Sequence, residues 1–176
     1  MGQQTARPDL ASLTPGTLID GARMYAASAD SINRDYPNAI HVLSHVIGMS
    51  IELALKAFLR LHGKTEKELR GLGHDLEKLL AAAETCGLTA TGSRHFRLAV
   101  LGANYQERIF LFPQAGVMHI ILPWSLRQIA NEIIQEVFIA VHGESTFDEN
   151  KDAPGLCITS VYPEDVRATD WDKTTI

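Results

Sequence analysis

The chain has 176 residues, 45% of them apolar, and a formal net charge of −5. That size fits one domain with some tail, and that apolar share is enough for a packed core. No unbroken apolar run reaches the ~18 residues of a membrane span, MGQQTARPDL lacks the apolar stretch of a signal peptide, and the acidic balance argues against a large nucleic-acid face.

Residues 1–13 read as a flexible leader. Thr14-Pro15 then opens a first helix, with Thr14 as cap and proline in the first turn. Leu18, Ala22, Tyr25, Ala26, Ala29 and Ile32 recur at helical spacing along one face, up to a break before Pro37. A second helix is expected from Pro37 to His62, with Ile40, Leu43, Ile47, Ile51, Ala54, Leu55, Phe58 and Leu59 as its apolar stripe and Gly63 as its stop. Lys64 to Arg70 is charged and predicts a short helical turn. A third helix is expected from Gly73 to Gly87 on Leu76, Leu79, Leu80 and Ala83. A fourth is expected from Thr91 to Phe110, turning Phe96, Val100, Ala103, Tyr105 and Ile109 inward. Leu111 to Leu122, with Pro113 and Gly116, predicts a short extended excursion. Pro123-Trp124-Ser125 opens a fifth helix to His142, carrying Leu126, Ile129, Ile133, Ile134, Val137, Phe138 and Val141; Trp124 and Trp171 read as packing anchors.

Beyond Gly143 the texture becomes polar and acidic. Residues 148–172 carry seven acidic against two basic side chains, which accounts for the whole net charge and leaves room for a basic site in the remainder. The expected architecture is therefore all-α: an antiparallel bundle of about five helices over residues 14–143, with the extended excursion inside it. An acidic tail over 144–176 follows, loose or docked on a partner, in which Gly155–Tyr162 offers one strand. Surplus apolar positions on the second and fifth helices favour a homodimer. Cys86 and Cys157, with no export signal, read as reduced thiols in a cytoplasm, and no membrane attachment is expected.

Three constellations could carry chemistry. His41 and His45 lie one turn apart, a spacing that can hold zinc, but no third ligand follows, so no metal or other cofactor is expected. Glu52 and Lys56 form an i,i+4 pair inside an apolar stripe. They are either a solvated helix pair or a half-buried pair whose partners are His74 and Asp75; Asp75 would otherwise stabilise a helix N-terminus. Asn104, Tyr105 and Arg108 end the fourth helix, where Arg108 either grips a phosphate or pairs with a carboxylate. Phosphate-loop, dinucleotide, GxSxG and CxxC patterns are absent.

Glu52-Leu-Ala-Leu-Lys-Ala-Phe-Leu59 followed by Gly73-His-Asp-Leu-Glu-Lys-Leu-Leu80 resembles the HEPN family of small helical bundles, and Asn104-Tyr-Gln-Glu-Arg108 resembles, more loosely, that family's Asn-x-x-Tyr region. The resemblance covers residues 15–142. It implies an up-and-down bundle that often dimerises, with partners such as an antitoxin or a nucleotidyltransferase. It also implies two functional branches. One is a metal-independent ribonuclease of toxin–antitoxin or phage-defence systems, in which an Arg-x4–6-His motif supplies an acid–base histidine and a phosphate-facing arginine. The other is a non-catalytic binding module. Here the ribonuclease motif is met only by Arg34 and His41 across Pro37. A ribonuclease would therefore need a rebuilt pair of His74 and Arg108 acting on RNA. A non-catalytic binding or regulatory module is the preferred reading, with Glu52, Lys56, Asp75, Asn104 and Tyr105 as binding residues. A structural subunit whose tail docks on a partner is a further alternative.

Overall fold

A computed structural model describes residues 13–106 and 122–157, and these form an all-α bundle. The elements are α1 (Pro15–Asp35), α2 (Ile40–Leu61), α3 (Glu66–Leu72), α4 (Leu76–Thr85), α5 (Gly92–Gln106), α6 (Pro123–His142) and α7 (Glu144–Asn150). The excursion at Leu111–Leu122 falls, except for Leu122, outside the described residues, as do Ile109, Phe110, the leader up to residue 12 and the tail from residue 158.

α2 is the central element and packs against α1, α3, α4, α5 and α6. Its expected stripe is the stripe it buries: Leu43, Ile47, Ile51, Ala54, Leu55, Phe58 and Leu59. A helix with neighbours on several sides must be apolar over a wide arc. Most of its apolar positions, and those of α6, are covered within the chain, while Val42 and Leu61 of α2 and Trp124 of α6 stay exposed. By length and composition α2 could also cross a membrane, contrary to the expectation from unbroken runs. However, 67% of its most apolar stretch is buried among the other helices, as a core helix is.

Several boundaries differ from expectation, each for a local reason. Pro37 does not open α2. It sits in a turn closed by the Ala39 N–H on the Tyr36 carbonyl at 3.0 Å, and the helix starts at Ile40. The charged connector is a true helix, α3, held by a capping box: the Thr65 side chain accepts from the Glu68 N–H, and the Glu68 carboxylate accepts from the Thr65 N–H at 2.8 Å. The Thr65 N–H, the Thr65 hydroxyl and Lys64, all donating to the Glu68 carboxylate, pull it down to about 2. Gly73, at φ 62°, ends α3 instead of opening α4, which begins only after Asp75.

On α5 the buried face is Arg94, Leu98, Leu101 and Tyr105, not Phe96, Val100 and Ala103. Phe96 is 69% exposed. The spacing of apolar residues does not mark this face because a buried arginine sits on it: Arg94 donates to the Glu136 carboxylate at 2.8 Å and the Thr89 carbonyl at 2.7 Å. Trp124 is 41% exposed and anchors nothing in the core.

Residues 144–157 dock on their own bundle. α7 lays Phe147 near Phe138, with ring centroids 6.4 Å apart. Leu156 is fully buried, and its carbonyl accepts from Gln135 Nε2 at 2.8 Å. Residues 155–157 form a turn with one isolated bridge, Pro154 to Cys157, in place of the start of a strand. Cys86 and Cys157 are free thiols.

Candidate functional site

Glu52 lies midway along α2 on the face that meets α4 and α5, with its side chain 5% exposed. A carboxylate there costs several kcal/mol unless donors replace the lost water. Three donors do so. Lys56, one turn on, reaches Oε1 at 2.6 Å. His74 Nδ1 lies 2.9 Å from Oε2 and 3.1 Å from Oε1. The Tyr105 hydroxyl donates to Oε2 at 2.8 Å. Burial pushes the Glu52 carboxyl up, but the bonds from Lys56, His74 and Tyr105 outweigh it and hold the group below the ordinary carboxylate range.

The backbone explains why these groups converge. Gly73 takes a positive φ, so the chain folds back and sets His74 over α2. Asp75 then caps α4: its carboxylate accepts from the Lys78 N–H at 3.0 Å and pairs with Lys78 Nζ at 2.8 Å. Leu76 enters the core. Tyr105 approaches because residue 48 is glycine; a Cβ there would stand 2.7 Å from the tyrosine ring. Burial, then the Glu52 charge and the hydrogen bond to it, push the Tyr105 hydroxyl far above its ordinary value, so it remains a donor.

Of the residues expected from sequence, Glu52, Lys56, His74 and Tyr105 meet in one cluster. Asp75 does not join it, because its carboxylate serves the α4 cap and Lys78, which hold it below its ordinary range. Asn104 bonds back to the Val100 carbonyl within α5 at 3.2 Å. Arg108 lies outside the described residues. His45 also borders the cluster: its ring lies 5.5 Å from the Tyr105 ring, on a residue seven before Glu52 and thus on the same helix face. Burial, and secondarily the nearby His74, lower the His45 pKa against the opposing pull of Glu52. His41 and His45 gain no third ligand: among the described residues no three His, Cys, Asp or Glu side chains cluster as a metal site would require.

Chemically, the cluster is a buried carboxylate saturated by three donors. His74 Nδ1–H donates to it, which selects the tautomer and leaves Nε2 to act outward on a ring 58% exposed. Among the described residues, the Ser50 hydroxyl two positions before Glu52 is spent on the Ile47 carbonyl at 2.7 Å. No protein-family model matches this chain, and neither does any curated protein or any solved structure.

Proposed function

We propose that the chain is a HEPN-like module that binds or regulates a partner without catalysis, in a cytoplasmic toxin–antitoxin or phage-defence setting. One observation carries this reading: each residue of the Gly73–Leu76 motif has a structural role. Gly73 turns the chain, His74 binds Glu52, Asp75 caps α4 and Leu76 fills the core. The signature is then a lock joining α2, the α3–α4 corner and α5. Partners that fit are a second copy, an antitoxin or a nucleotidyltransferase.

A metal-independent ribonuclease is the second reading. The favouring observation is that Glu52 orients His74 while most of the ring stays exposed, as a general acid or base requires. Arg108 would supply the cation. The deciding experiment incubates purified protein with a mixed RNA pool, with and without EDTA, beside His74→Ala and Arg108→Ala, and weighs the protein by light scattering. The binding reading expects intact RNA and twice the 19.3 kDa chain mass. EDTA-resistant cleavage lost in both variants establishes the ribonuclease instead.

A further inference from the structure

One turn beyond Lys56, α2 borders a cavity of about 170 Å³ between the start of α1 and α3. Leu13, Leu18 and Leu69 form its apolar wall, while Lys56, Arg60, Glu66 and Arg70 supply the charge. Three of those four charges are compensated. Lys56 pairs with Glu52, and Arg70 pairs with Glu66 one turn away on α3. Arg60 differs. Its Nε donates to the Leu13 carbonyl at 3.3 Å and its Nη1 to the Lys64 carbonyl at 2.9 Å, and both acceptors are neutral. Among the described residues no carboxylate pairs with it and Nη2 has no acceptor. The guanidinium is thus held in place by two backbone carbonyls, half-buried, with no carboxylate among the described residues to match its charge.

We propose that this cavity binds a small organic monocarboxylate, its carboxylate on Arg60 with Lys56 alongside and its apolar body against Leu13, Leu18 and Leu69. A protein cavity of about 150 Å³ accommodates benzene, so the space suits an apolar body of roughly six heavy atoms. One unmatched positive charge calls for a single negative one. A phosphate dianion would bring a second charge toward the Glu66 carboxylate on the same wall, where repulsion at partial burial is strong. Nη2, the Arg60 nitrogen without an acceptor among the described residues, offers a charge-assisted hydrogen bond to a carboxylate oxygen. The site is separate from the Glu52 cluster apart from Lys56, and the proposal does not rest on the HEPN-like reading.

The test titrates the full chain at pH 7 with benzoate and with hexanoate by calorimetry, beside benzyl alcohol and inorganic phosphate. Saturable one-to-one binding of at least one carboxylate is expected, with the alcohol and phosphate weaker by about tenfold or more, the size of a charge-assisted hydrogen bond. Arg60→Gln should weaken the carboxylate by a similar factor, while Arg60→Lys keeps most of it. In ¹H–¹⁵N spectra of the wild-type chain the shifts should gather at Leu18, Arg60 and Leu69, a readout that needs no variant to fold. Absence of saturable binding, equal binding of benzyl alcohol, undiminished binding in a folded Arg60→Gln chain, or shifts gathered elsewhere would each overturn the proposal.

Discussion

Glu52 concentrates more interaction on one side chain than any other residue of the cluster, and its protonation has consequences that can be measured. Its pKa in the fold lies below the ordinary 4.5 of glutamate. A group depressed in the folded state stabilises fully above its unfolded value, and that stabilisation fades as pH falls from about 4.5 through the folded value. His45 is depressed as well, below 6.5, so its contribution fades earlier, as pH falls below 6.5. Urea unfolding from pH 8 to pH 3 should therefore show two declines. His45→Gln should flatten the upper one and Glu52→Gln the part of the lower one due to Glu52, with Glu68, Asp75 and Glu136 still contributing there. At pH 7 Glu52→Gln should cost ~1–3 kcal/mol, because Lys56 loses its half-buried counter-charge. A Glu52→Gln chain as stable as wild type at pH 7 would show that the cluster contributes no stability. The candidate residues were legible in sequence because polar side chains interrupt an apolar stripe. Their partners were not, because Tyr105 lies 53 residues from Glu52 and nothing local encodes that approach.

At the scale of elements, the docking of residues 144–157 depends on one backbone position. Gly155 has φ 82°, and a Cβ there would come 2.1 Å from the Arg23 carbonyl oxygen of α1. No side chain fits that contact, and the positive φ disfavours one independently. Gly155→Ala should lift the segment, exposing Leu156 and breaking its carbonyl bond to Gln135. The loss expected for a buried leucine is about 1.5–3 kcal/mol, read as a lower urea midpoint with new proteolytic cleavage near residues 150–157. Unchanged cleavage would mean the backbone adjusts at little cost. Helix interiors were read correctly on α2, α4 and α6, where apolar residues still outnumber the buried polar ones, Glu52 on α2 and Arg127 on α6 among them. On α5 Tyr105 turns inward as expected, but Arg94 occupies a buried position and Phe96, Val100 and Ala103 lie off the buried face. After Gly143 the sequence offered no sign of α7, which is short and polar and is held by contact with α6.

At the scale of the whole molecule, the bundle's far end is closed by a buried ion pair. Arg127 at the start of α6 donates from Nε and Nη2 to the two Asp30 oxygens of α1 at 2.9 and 3.0 Å. Nη2 also donates to the Cys157 carbonyl at 3.0 Å, so the pair ties α1, α6 and the docked segment together. The Arg127 side chain is fully buried. Asp30→Ala leaves that charge without a counter-ion and should cost ~3–5 kcal/mol in equilibrium unfolding. Asp30→Ala with Arg127→Met should recover most of the loss, since an apolar pair of similar volume needs no desolvation. A double variant as unstable as the single would assign the loss to packing and not to charge.

The sequence by itself determined the helical class, the apolar stripe of α2 and the candidacy of Glu52, Lys56, His74 and Tyr105. Periodicity and capping are local properties, and a charged group inside an apolar stripe must find a partner wherever the chain folds. Tertiary structure alone decided which partner each group found. Asp75 went to its own helix while Tyr105 reached Glu52 past Gly48; Arg94 and Arg127 became core residues, and residues 144–157 turned back onto the bundle. Those outcomes depend on distances between segments far apart in the chain, set by how whole helices pack and not by the residues beside them.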